Sequence, residues 1–287
     1  MNPEASLRVG KTEVELLKEN TYSIRTSDYI IDSLHENIEI LHKRNVKKTN
    51  SKKPSITEIE LNAFSVMPLQ TFLNKPAYKK GVSYDLLLHF IGNIGNQLTF
   101  LKNTGYAIPF ISLDDIIVID EIIFAFVNND KVFKIDDDDK VFKIDDDDET
   151  GVEAEAGAGA EAEVDMEDER DVDDERNERN ERNKGKKENI VIDFPIKFNK
   201  KNSFIPSMIK KYFESSDDRG KKLPIIIHHS WGFYSLALLC IFIFLKKRIT
   251  DDMEYEDIAG PFIYTPLYWC LKRCLDKNNS KRILLYI

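Results

Sequence analysis

YAIPFISLDDIIVID (106–120) sets two adjacent carboxylates, Asp114 and Asp115, directly before a run of β-branched residues. Paired acids at the mouth of a buried strand serve as catalysts, as metal ligands or as an ordinary turn. Asp commonly bonds nearby backbone amides in turns, so the turn is the simplest reading. IIVID (116–120) and IFAFVN (123–128) then form a hairpin with Asp120-Glu121 at its turn. Upstream, SYDLLLHFIGNIGNQLTFLKNTGY (83–106) places Leu87, Phe90, Ile91, Ile94, Leu98 and Leu101 on one stripe. That is a long amphipathic helix stopped by Gly105. Gly92 and Gly95 inside it each cost about 1 kcal/mol against Ala and point to close packing on a neighbour.

Farther toward the amino terminus, TSDYIIDSLHENIEILHKR (26–44) reads as a helix capped by Ser27 or Asp28. VKKTNSKKP (46–54) reads as a basic loop, and ITEIELNAFSVMP (56–68) as strand material leading into a turn at Pro68. In the other direction, LPIIIHHSWGFYSLALLCIFIFLKKR (223–248) is the most apolar stretch. The 22 residues 224–245 have about the length of a membrane span, with KKR behind them. Pro224, His228, His229, Ser230 and Gly232 interrupt them, and the continuous apolar part, Trp231–Leu245, has the length of a buried core helix. TPLYWCLKRCLDKNNSKRILLYI (265–287) reads as an amphipathic helix, a polar turn and a short apolar end.

The 287 residues suffice for one large domain or two small ones, and 42% hydrophobic content supplies a core. Charge is uneven: residues 136–188 hold 24 acidic and 9 basic side chains, so the remainder is mildly basic despite a net charge of −9. Such a body suits an acidic partner only weakly. KVFKIDDDD occurs at 131–139 and again at 140–148, too short a repeat for a solenoid. From 136 to 189 the composition is that of a disordered acidic low-complexity insertion. Cys240, Cys270 and Cys274 lie in apolar surroundings without framework spacing, as core residues of a reducing compartment do. The start, MNPEASLRVGKTEVE, has no apolar signal-peptide core. The adjacent His228 and His229 diverge on a helix and have no evident third metal ligand.

The order of these elements resembles a protein-kinase C-lobe, and most closely the divergent kinase-like proteins of giant DNA viruses. The likeness covers about 60–135 and 190–287, and 265–287 carries its most specific part. It implies an α+β, protein-kinase-like fold: a reduced N-lobe over 1–66, C-lobe parts at 67–135 and 190–287, and the insertion at 136–189 between them. AFSVMPLQTFL (63–73) resembles the hinge between lobes, which makes Met67, Pro68 and Leu69 the hinge-like positions for a nucleotide.

The catalytic parts are degenerate. Phe110 stands where kinases carry the proton-accepting Asp, and Asp115 where they carry a magnesium-binding Asn. Asn128 stands at the metal-binding Asp of the Asp-Phe-Gly motif, with Asp193-Phe194-Pro195 as a rival placement. Pro206 resembles the proline of the Ala-Pro-Glu motif, but Ser207 follows it, which leaves Arg282 without its usual glutamate. Tyr234-Ser235-Leu236-Ala237 resembles the Trp-Ser-x-Gly pattern, and Gly232 replaces an Asp that would support the catalytic loop. Gly10 is the only glycine of residues 1–60, so no glycine-rich phosphate loop exists, and no Val-Ala-x-Lys sequence occurs.

The resemblance therefore implies a catalytically inactive, kinase-like interaction module in host cytoplasm or virion. It would have an unknown protein partner, no specific nucleic acid, and no metal or cofactor. Two alternatives stay open. One is an unconventional Ser/Thr kinase using Asp114, Asp115 or Asp193 with ATP and Mg²⁺. The other is a membrane protein spanning at 224–245.

Overall fold

Alternating apolar and polar residues build an antiparallel sheet from the amino-terminal segments. The computed structural model describes residues 6–50, 56–136, 189–192, 203–205, 225–249 and 255–283. Strands β1 (Ser6–Val9), β2 (Thr12–Lys18) and β3 (Thr21–Ser27) form a meander. Helix α1 (Asp28–Glu36) follows, then β4 (Val46–Asn50) and β5 (Ile56–Asn62). The sheet order is β1-β2-β3-β5-β4. Val14, Tyr22, Ile24, Ile59 and Leu61 turn inward, and Ile30, Ile31 and Leu34 of α1 cover them.

Two readings of this region change. The helix expected over 26–44 forms with Ser27 at its N-cap, but it is shorter: Ser27 is still paired in β3 opposite Ile56, α1 ends at Glu36, and one wider turn, Asn37–Leu41, continues it. The buried Asn37 side chain donates to Asn93 O at 3.3 Å and anchors that turn. The basic loop 46–54 begins as a strand. Lysines hide it from a propensity reading, yet β4 is an edge strand, where lysine deters further pairing. Lys48 bonds Asp32, and Lys47 lies 3.9 Å from Glu60.

Strand β6 (Val66–Pro68) and helix α2 (Leu69–Leu73) lead to α3 (Tyr84–Asn103). Ser83 caps α3 by accepting from Leu86 N (3.2 Å), and Gly105 follows its end at φ +83. The expected stripe is buried. Gly95 is buried too, but a Cβ on Gly92 would meet open space, so close packing does not explain that glycine. Short strands β7 (Tyr106–Ala107) and β8 (Ile111–Ser112) precede the hairpin of β9 (Ile116–Ile119) and β10 (Ile123–Phe126). Asp120 and Glu121 turn that hairpin at φ 50 and 63. The sheet order here is β10-β9-β6. Side chains of α3 cover the open edge of β10: Asn93 Oδ1 accepts from Phe124 N (2.9 Å), and Gln97 Oε1 accepts from Phe126 N (2.7 Å).

Strand β11 (Phe133–Asp136) pairs with β7 and with β12 (Asn189–Ile192), which pairs with β14 (Ile225–His228). Strand β13 (Ser203–Phe204) pairs with β8. Helix α4 (Trp231–Leu245) has no polar face and packs on α3, as an interior helix must. Among the described residues no helix is long and apolar enough to cross a membrane. Helices α5 (Tyr255–Ala259) and α6 (Pro266–Cys274) follow, then a 3₁₀ turn at Asn279–Lys281. Cys240, Cys270 and Cys274 are buried, and burial pushes the Cys240 thiol well up. The insertion 136–189, apart from Asp136 and Asn189, lies outside the described residues, as do Asp193, Pro206 and Ser207.

Candidate functional site

Asp115 closes the single 3₁₀ turn Leu113–Asp115. Its Oδ2 accepts from Ser112 N at 2.7 Å, while the Ser112 hydroxyl accepts from the Asp115 amide, a reciprocal capping box. The opening pair of acids is thus a turn in which one side chain bonds a local amide. Asp114 points outward and is exposed.

Asp115 is also the centre of a buried polar cluster. Asn128, at the end of β10, donates from Nδ2 to Asp115 Oδ1 at 2.7 Å. Two positions that the sequence reading singled out separately, Asp115 and Asn128, therefore touch. A third residue joins them. Lys131 Nζ donates to Asp115 Oδ2 at 2.5 Å and to Ser112 Oγ at 2.7 Å. Its ammonium also stands 4.7 Å from the centre of the buried Phe110 ring, a cation–π distance. The side chains of Lys131 and Asp115 are only 5% and 2% exposed. Three acceptor positions of the carboxylate are engaged, of the roughly four that it offers.

Lys131 escaped the sequence reading because it opens the first KVFKIDDDD copy and reads as part of a charged repeat. The available signal was the Asn128-Asn129-Asp130 turn before it. That turn is a 3₁₀ turn in which Asn128 Oδ1 accepts from Asp130 N at 3.1 Å, and it aims Lys131 inward. In the same copy Phe133 is buried and lies in β11; the second copy lies outside the described residues.

The amino-terminal sheet closes over this turn. The β1–β2 hairpin turns at Gly10-Lys11, with Gly10 at φ +58. A Cβ on Gly10 would stand 2.4 Å from Asn128 Oδ1, so a side chain here would have to displace that amide and would be strained at this φ as well. Lys11 Nζ lies 3.2 Å from Asp130 Oδ1. The buried Thr12 hydroxyl donates to Val127 O at 2.5 Å and sits 2.7 Å from Thr26 Oγ1. Asn129 Oδ1 accepts from Ser27 Oγ (2.9 Å) and from the Tyr29 hydroxyl. Tyr29 stacks on Tyr106 at 4.6 Å, and burial raises its phenol pKa.

The remaining candidates fall elsewhere. Met67 and Pro68 lie in β6, paired with Val118 and Ile117 of β9, and Leu69 is buried at the start of α2. Gly232 lets α4 approach the loop before β8: a Cβ there would meet Ile108 O at 2.4 Å. One turn on, Ser235 Oγ accepts from Ile111 N at 2.8 Å and bonds Phe204 O, so a serine supports that loop. Arg282 is buried against Trp231 and Tyr234, at 4.2 and 4.8 Å from their rings, and its Nε donates to Asp276 O at 2.6 Å. Its Nη1 has no hydrogen-bond partner among the described residues, and burial lowers its pKa. His228 Nδ1 bonds Ser230 Oγ at 2.8 Å, and the ring of His229 lies 4.3 Å away. Among the described residues no group of three or more His, Cys, Asp or Glu side chains could hold a metal ion.

No family model matches the chain, and no curated protein matches it. Among solved structures, it is similar to a specific rhoptry antigen kinase domain of Toxoplasma gondii, with 10% identity and a TM-score of 0.44, over 99% of this chain and 74% of that one.

Proposed function

We propose that this chain is a catalytically inactive, kinase-like scaffold that works by binding another protein. The observation that carries the reading is the Lys131 ammonium, held by Asp115 and Ser112 over the Phe110 ring. Under the kinase-like reading, Asp115 and Asn128 are the positions that would hold magnesium. A fixed cation from the chain itself occupies the carboxylate that a metal would need, and the neutral Asn128 amide spends its donor on the same carboxylate. At the position of the proton-accepting Asp, Phe110 offers no base.

Three features support the kinase-like part. The five-stranded sheet carries its helix between the third and fourth strands of the chain. A short hinge-like strand, β6, leads from it to the long helix α3, and a hairpin follows. Ser235 then steadies the loop before that hairpin. Where kinases arch a glycine-rich loop over phosphates, the two-residue turn at Gly10 rests directly on Asn128. The giant-virus origin rests on the resemblance, of which Tyr234-Ser235-Leu236 in the central helix and 265–287 are the parts that carry it.

The test is a thermal-melt titration of the full chain with ATP, with and without Mg²⁺. No shift up to millimolar nucleotide is expected. A magnesium-dependent shift would overturn the reading.

A further inference from the structure

Helix α6 buries one face completely: Leu267, Cys270, Leu271 and Cys274 are 0% exposed. Its opposite face carries Lys272 and Arg273, as that of an ordinary surface helix would, but it also exposes a large ring. Trp269 is 62% exposed, and Tyr264 and Ile263, just before the helix, are 102% and 45% exposed. Single exposed apolar residues need no explanation; here three lie within seven positions of the chain. Tyr264 also sits at φ 67, a conformation that bulky side chains rarely adopt, and it directs the whole ring into solvent. Trp269 meets Tyr268 edge to face at 5.2 Å, and Lys272 Nζ lies 5.8 Å from the Trp269 ring.

Charge indicates what covers this face. Lys272 and Arg273 stand three and four positions after Trp269, hence on its side of the helix. Arg273 and the following Lys277 are exposed and form no ion pair among the described residues. The nearest acid along the chain, Asp276, accepts from Asn278 N at 2.9 Å through its Oδ1. Trp, Tyr and Arg are the residues that dominate protein-binding hot spots, and a basic rim selects and steers an acidic partner. We propose that the face formed by Ile263, Tyr264, Trp269 and Arg273 docks an acidic protein segment that carries an aromatic or aliphatic anchor. The proposal deepens the scaffold reading by naming its partner surface, and it rests on that reading for its purpose alone. A membrane would need a broader apolar face than three side chains, and a peptide needs only these anchors.

The chain has two tryptophans, and Trp231 is 5% exposed, so acrylamide quenching reports mainly on Trp269. The full chain is titrated with the peptide Glu-Asp-Asp-Phe-Glu-Glu-Leu-Asp-Asp and with a twin carrying Lys for every acid. The expected result is saturable shielding by the acidic peptide alone. Both Arg273→Glu and Tyr264→Ala, with unchanged circular dichroism, should weaken it by about tenfold or more. Absence of saturable shielding, or equal affinity for the twin, would overturn the proposal. So would binding only to phosphatidylserine-containing vesicles or to oligothymidine. The same protein is titrated with ATP and Mg²⁺. A nucleotide shift there would sink the inactive-cleft reading and leave the peptide result intact, so the two failures are distinguishable.

Discussion

Lys131 and Asp115 form an ion pair 2.5 Å long, and both side chains are almost wholly withdrawn from water. Attraction alone does not make such a pair stabilising, because desolvation opposes it. What makes it tolerable is the further hydrogen bonding from Asn128 and to Ser112, with the Phe110 ring beside the ammonium. Breaking it from one side leaves a buried charge without a counterion. Lys131→Ala is expected to destabilise the fold by about 3–5 kcal/mol. The double variant Lys131→Met with Asp115→Leu should lose much less than the two single changes together. Urea denaturation of the full chain measures both, and additive losses would refute the coupling.

A side chain at Gly10 is expected to destabilise the fold. Gly10→Ala meets Asn128 Oδ1 at 2.4 Å and must adopt φ +58. Strain of this kind costs on the order of 1–3 kcal/mol. A chemical-denaturation midpoint unchanged by Gly10→Ala would show that the hairpin does not rest on the 128–131 turn.

Ser235 holds a buried amide across a separation of 124 residues. Ser235→Ala removes the acceptor for Ile111 N, and an unsatisfied buried donor costs about 1–3 kcal/mol. Hydrogen exchange at the Ile111 amide is the direct readout, and it should accelerate in the variant. Unaltered exchange would assign the support of this loop to other contacts.

His42 carries the clearest pH dependence. Burial lowers its pKa below the ordinary imidazole value, and its Nε2 faces Asn93 Oδ1 at 3.2 Å. A folded-state pKa below the unfolded one means that the unfolded chain takes up the proton first. The contribution is therefore fully present above the unfolded value of about 6.5, and it is lost as pH falls through the folded value. The urea midpoint should drop on acidification through this window, and less so in His42→Gln. Parallel pH profiles for the two proteins would rule the group out.

Much of the fold was legible as local pattern. The apolar stripe and Gly105 delimited α3, Asp120-Glu121 marked the hairpin turn, and the unbroken run Trp231–Leu245 coincides with α4 from first residue to last. Each of these is a signal within one element, where side-chain period and turn chemistry act directly on the backbone. The sequence by itself also made Asp115 a turn residue. Only the tertiary structure decided that β4 is a strand, because its evidence is a partner strand and an edge position, while its lysines argue otherwise. Only tertiary structure turned Lys131 inward, set Gly10 on Asn128, and joined Thr12 to Val127 across 115 residues. Burial of a charge is a property of what surrounds it in space. In a repeat rich in lysine and aspartate, the Asn128-Asn129-Asp130 turn is the one local mark beside Lys131, and a turn does not by itself enclose a charge.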